Sequence, residues 1–319
     1  MTRAGFACKL RATYTTDPLN GVNVPPNHDD NRQGILLIVS GLAIAAFTGA
    51  VMKLLADGMS VFQITWFRFL GFAIMMLPVV AWRFGRAAFR PARPKMQILR
   101  GFTMAAATVA FVSGARTVDY ADAIAILYAY PFLLTLLAVW FLGERVRWEG
   151  WAGIFGGFTG VLLIMRPDFS GVDSGVLYVF LCALIVSIQM TLNRKLGAYS
   201  HPLVTSFWGA VGATLLLSPV LGGVWQAADS REMMLILLMV VSGGVSQTLI
   251  VFAFARSEAS TLAPFTYFEI VAAVVIGYAI FGTMPGTVSW IGIALIFACG
   301  VLVARSLSQP ATPRRQPKI

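Results

Sequence analysis

The chain has 319 residues, 58% of them hydrophobic and 12% charged, with a formal net charge of +10. That balance excludes an ordinary water-soluble domain and points to a lipid bilayer. The positive charge does not require nucleic acid, because membrane proteins sort basic side chains to one face of the lipid.

Cys8, Cys182 and Cys299 are far apart, with no CxxC and no nearby pair of histidines. Neither a disulfide framework nor a zinc site is expected, and buried apolar cysteine is the ordinary reading.

Residues 1–33 carry Pro18, Pro25, Pro26 and several Asn and Asp but no apolar run, and read as a flexible cytoplasmic tail. Ten apolar stretches long enough to cross the hydrocarbon follow. They cover 34–55, 61–83, 97–117, 121–141, 148–166, 174–192, 202–224, 233–256, 260–281 and 287–305, and residues 306–319 form a second tail. Strand-length alternation is absent, and helices satisfy their own backbone hydrogen bonds, so an all-α integral membrane protein is expected rather than a barrel.

Part of the chain is written twice. An offset of 139 residues carries Tyr128 to Tyr267, Gly143 to Gly282, Trp151 to Trp290, Gly153 to Gly292 and Arg166 to Arg305. Such an offset marks two copies of one structural unit, 34–166 and 174–305. Charge supplies the direction. With the N-terminus inside, nineteen Lys and Arg fall on the cytoplasmic face, among them Arg100, against four on the other, and Arg68 lies within a span. That asymmetry expects both termini in the cytoplasm of a bacterial inner membrane. Five spans per copy is an odd number, so the copies enter the lipid from opposite sides. Inverted five-helix repeats are a recurrent construction of secondary transporters.

Several stretches together carry a family resemblance: Arg68 within WFRF, LGERV at Leu142 to Val146, a Gly-rich fifth span opening with Trp151, and the repeat of that block near the C-terminus. In order and spacing they resemble the EamA-type transporters of the drug/metabolite transporter superfamily, over about Gly34 to Arg305. The resemblance implies a ten-helix fold, a central cavity between the halves and transport of small metabolites. TLAPFTYFEIV, Thr261 to Val271, with WFRF, looks most like the branch of riboflavin and S-adenosylmethionine uptake carriers. The second copy departs from the pattern at Thr283 and Met284, where Glu-Arg stands in the first.

Glu269 is the sharpest candidate for function. It lies about 13 Å into the ninth span at 1.5 Å per residue, where a carboxyl is expected to face a cavity and to be protonated or paired, which suits a proton relay or a cationic group of the substrate. Its repeat counterpart is Tyr130. The alternative is a protonated acid bonded to a neighbouring helix. Arg68, about 10 Å from the outer end of span two, has a fork suited to a carboxylate, phosphate or carbonyl; snorkelling or locking helices together are its other uses. Tyr128, Tyr130 and Tyr267 suit a planar heterocycle, or simply pack. Pro131 and Pro264 interrupt the same two spans, by a kink or by a break that frees backbone groups. Gln189, Asn193 and Gln247 read donors and acceptors, or hold helices together. Overlapping GxxxG patterns at Gly153/Gly157 and Gly156/Gly160 point to close helix packing. Glu144 and Arg145, at the cytoplasmic end of span four, form a candidate gate or a solvated interface pair.

The expected function is alternating-access transport of a small organic metabolite, such as riboflavin or another vitamin or nucleoside-like compound, with proton coupling through Glu269. Export of a metabolite, amino acid or drug is the alternative, and a membrane sensor or assembly subunit is the reading outside transport. No Walker sequence is present and no cluster of His, Asp or Glu has catalytic or metal spacing, so an enzyme is not expected. The partners expected are the substrate, the lipid bilayer and a second copy of the chain in a homodimer. No nucleic acid and no cofactor are expected.

Overall fold

The computed structural model describes residues 28–308, apart from 92, 143–147, 166–172, 198 and 258. Among the described residues every regular element is helical.

The first helix, α1, is His28–Ala56, so it begins inside the stretch expected to be a tail. Next come α2 (Val61–Phe84), a 3-10 turn at Gly85–Phe89, and α3 (Pro94–Ala115). Pro94 stands at the start of α3, where the missing N–H has no helical partner to lose. The expected fourth span is two helices, α4 (Tyr120–Leu127) and α5 (Tyr130–Leu142). Then follow α6 (Trp148–Met165), α7 (Ser174–Gly197), α8 (Pro202–Val224) and α9 (Ser230–Arg256). Asp229 and Glu232 close a capping box on α9, Asp229 Oδ1 accepting from Glu232 N at 2.6 Å and Glu232 Oε2 from Asp229 N at 3.0 Å. The expected ninth span is also divided, into α10 (Ala259–Thr266) and α11 (Phe268–Phe281), and α12 (Thr287–Ser308) ends the described chain.

Eight stretches are long and apolar enough to cross a bilayer, counting Tyr120–Leu137 and Thr261–Phe281 as one each. Two shorter apolar segments, Gly150–Met165 and Thr287–Val303, occupy the places of the expected fifth and tenth spans. Large apolar side chains such as Trp82, Phe155, Leu237 and Val275 point outward. In lipid an apolar outer surface is the favourable one.

The halves pack into one another rather than side by side. α1 lies along α9, α3 along α7, α2 along α8, and α6 along α12. Exchanging the halves carries the first of these pairs onto the second and maps the other two onto themselves.

The α6·α12 crossing obeys the same exchange at the level of atoms. A Cβ on Gly160 would lie 2.8 Å from the Gly292 carbonyl oxygen, one on Gly292 would lie 2.7 Å from that of Gly160, and one on Gly153 would lie 3.0 Å from that of Cys299. The 139-residue offset carries Gly153 to Gly292 and Cys299 back to Gly160. Gly153 and Gly160 of the span-five pattern thus serve backbone contact, as small residues do between membrane helices, while Gly156 makes room for the Cys299 sulfur and Gly157 for the Phe132 ring.

Candidate functional site

The site starts from two helix breaks at one repeat position. Pro131 has no N–H for the carbonyl four residues back, and its ring crowds that carbonyl. That residue is Leu127, where α4 ends. Tyr128 and Ala129 form the turn, closed by Ala129 N donating to Ile126 O at 2.9 Å. In the second half the turn residue is Tyr267, the repeat counterpart of Tyr128, three residues beyond Pro264. There Ile270 N donates to Tyr267 O at 3.1 Å rather than to the carbonyl one residue earlier, as helical continuation demands. The Thr266 carbonyl is released.

Tyr128 takes up that carbonyl. Its hydroxyl donates to Thr266 O and lies 2.9 Å from Glu269 Oε2. The rings gather around it: Tyr130 at 5.7 Å and Tyr267 at 5.3 Å between centroids, with Tyr267 also 5.7 Å from Phe297. Tyr128 and Tyr267 are fully buried, whereas Tyr130 and Glu269 are partly accessible. Glu269 sits in the first turn of α11, where the helix dipole favours negative charge.

Arg68, on α2, is within electrostatic reach of Glu269. Its guanidinium donates to Met52 Sδ at 3.2 Å, a weak acceptor for a five-donor group. It faces a cavity of about 160 Å³ whose polar lining includes Gln189 and Gln247. The structure therefore brings Arg68, Gln189 and Gln247 to one wall and Tyr128, Tyr130, Tyr267 and Glu269 to an adjoining cluster. Glu144 and Arg145 lie outside the described residues. A wider depression of about 520 Å³, lined by Asp57, Met59 and Arg116 among others, belongs to the loop after α1 and does not include the cavity or cluster residues.

Sequence reasoning missed two polar contacts. Arg100 lines the same cavity, with Asn193 and Ser206. It had been counted as a face charge, although its place three residues inside the expected third span was a signal for burial. Ser289 donates to Asp122 Oδ2 at 3.0 Å, joining α4 to α12.

A profile of the EamA-like transporter family matches residues 32–166 and again 173–305. An S-adenosylmethionine uptake transporter of Rickettsia prowazekii is 24% identical over 273 residues, covering 86% of this chain and 92% of that protein. A riboflavin transporter of Rhizobium johnstonii is 30% identical over 241 residues, covering 74% and 78%. A pseudopaline exporter of Pseudomonas aeruginosa is 25% identical over 281 residues, covering 86% and 97%. One crystal structure superposes with a TM-score of 0.59 at 18% identity, over 86% of this chain and 99% of the other, a likeness of fold. Two tandem matches that together cover most of the chain identify it as a member of the EamA-like transporter family, within the drug/metabolite transporter superfamily: a multi-pass membrane transporter of small molecules.

Proposed function

We propose that the chain is a proton-coupled secondary transporter that takes up a small metabolite across the bacterial inner membrane. Two inverted five-helix halves, ten spans in all, rock about the Tyr128–Tyr267 contact and open the cavity alternately to either side. Both termini lie in the cytoplasm.

The observation that carries this reading is the pair of helix breaks at one repeat position, joined by Tyr128 to Glu269. A tyrosine hydroxyl has one proton and two acceptors face it. When Glu269 is protonated it donates to the Tyr128 oxygen while Tyr128 donates to Thr266 O, and every partner is served. When Glu269 loses its proton, the carboxylate and the Thr266 carbonyl compete for one donor. Proton release therefore loosens the contact between the two breaks, a local change able to bias the arrangement of the halves.

In this reading Arg68 orients cargo from the cavity side, Gln189 and Gln247 read its donors and acceptors, and Tyr130 offers a partly accessible ring. The cavity is smaller than the roughly 300–1,000 Å³ of sites for drug-sized ligands, so such cargo binds when the walls part. Similarity to the S-adenosylmethionine and riboflavin transporters supports a nucleoside-like or vitamin substrate; similarity to the pseudopaline exporter supports outward transport as the second reading.

Reconstituted vesicles loaded at different internal pH test the proposal with radiolabelled S-adenosylmethionine and riboflavin. Accumulation that follows an imposed proton gradient is expected. Saturable binding without flux would instead mark a membrane sensor.

A further inference from the structure

Arg100 is 5% exposed, and its guanidinium meets only uncharged acceptors. Nε donates to Asn193 Oδ1 at 2.6 Å, and Nη1 donates to Thr205 O at 2.8 Å and to Met104 Sδ at 3.1 Å. Among the described residues no carboxylate acts on it. A buried cation without a counter-charge loses its hydration and recovers only part of it from neutral dipoles.

The fold nevertheless reserves room for this side chain. A Cβ on Gly209 would lie 1.9 Å from Arg100 Nη1. One turn earlier on α3, Gln97 is buried with neither amide atom bonded, and Thr205 Oγ1 is also without a partner. The junction of α3, α7 and α8 is thus rich in unused hydrogen-bonding capacity around an uncompensated positive charge.

Arg100 and Arg68 line one cavity, together with the amides of Gln189, Asn193 and Gln247 and the hydroxyl of Ser206. The described lining contains two cations and no acid. We propose that this cavity selects cargo bearing an oxyanion, a carboxylate or phosphate, which Arg100 binds while Arg68 takes a second acceptor. The assignment of that ligand as cargo rests on the transporter reading above. A soluble metabolite and a lipid headgroup can both carry such an oxyanion, and the test below separates the two. A proton taken up at Glu269 would offset the negative charge of such cargo.

The test measures binding to purified protein in nanodiscs of zwitterionic lipid, using pairs that differ in an anionic group: riboflavin and flavin mononucleotide, adenosine and adenosine monophosphate, decarboxylated S-adenosylmethionine and S-adenosylmethionine. At least one anionic member should bind about tenfold or more tightly than its partner. Arg100→Gln should erase that preference and Arg100→Lys should keep part of it. Asn193→Asp supplies the missing counter-charge without removing the arginine, and should also erase the preference while raising thermal stability.

Equal binding within every pair, an anion preference unchanged in Arg100→Gln or Asn193→Asp, or no binding of any anionic member would overturn the assignment. So would loss of the preference on adding anionic lipid, which would give the site to a headgroup. Flux of neutral cargo with an inert Arg100 would sink the oxyanion site and leave the transporter. Anion binding at Arg100 without flux of any pair would do the reverse.

Discussion

The Tyr128 hydroxyl lies 2.9 Å from Glu269 Oε2, joining residues 141 positions apart in the chain. It is the point at which one half's helix break touches the acid that stands just beyond the other's. Backbone geometry and a titratable group are therefore linked through one oxygen.

Glu269→Gln separates shape from charge. The amide N–H₂ can still donate to Tyr128 while Tyr128 donates to Thr266, so the melting temperature should stay near that of the wild type. Proton-driven accumulation should fall by about tenfold or more, equivalent to about 1.4 kcal/mol or more in the barrier. The residual flux should no longer follow pH. Flux in vesicles across a pH series, with a melting curve of the same preparation, checks both halves of the prediction.

Tyr128→Phe removes the donor and keeps the ring. The Thr266 carbonyl is then left without its partner, at a cost of about 1–3 kcal/mol. Thermal unfolding in detergent should register a lower midpoint for this variant. Tyr130→Phe, on the partly accessible neighbour, should be closer to neutral. Equal midpoints for wild type and Tyr128→Phe would remove the bond from the stability account.

Gly160→Ala places a methyl group 2.8 Å from a backbone carbonyl oxygen of α12, which can move only with its helix. The predicted result is a marked loss of folded protein, in line with the few kcal/mol that overpacking costs. Gly222→Ala meets nothing within 4 Å and is the control. Size-exclusion profiles of the two variants, expressed in parallel, make the comparison.

His201 precedes α8, where its Nδ1 accepts from Leu203 N at 3.2 Å. Partial desolvation, and then the nearby Arg83, lower its pKa below the ordinary histidine value. The neutral ring is the capping form, and a cation is also disfavoured at a helix N-terminus. Because the folded value is the lower one, this stabilisation is complete above the unfolded pKa and declines as pH falls from about 6.5 through the folded value. An NMR titration of the imidazole should give a midpoint below 6.5, and His201→Asn should retain a cap while losing this pH dependence.

Much of the architecture was legible because bilayer thickness and the 139-residue offset act on long stretches of sequence. Apolar length marked the helices, and the GxxxG pattern marked close packing without naming its partner, which for Gly153, Gly156 and Gly160 is α12. The breaks were half legible. Pro131 fixes where α4 must stop, but whether a proline kinks or divides a helix depends on what binds the freed carbonyl. In the second break the freed carbonyl is Thr266 O, and its partner, Tyr128, comes from the other half. Arg100 was hidden for a similar reason. An arginine near a span boundary reads as an interface charge until Gly209 and Asn193, more than ninety residues away, are seen to enclose it.

Tyr130 and Glu269 hold the same position in the two repeats, yet only one of them is a carboxylic acid. In the proposed alternating-access cycle, two identical halves exchanging roles would give inward and outward conformers related by a two-fold axis and equal in energy. Under that proposal a carboxyl in one half alone removes the equivalence, so pH would bias the resting orientation through a single position per chain.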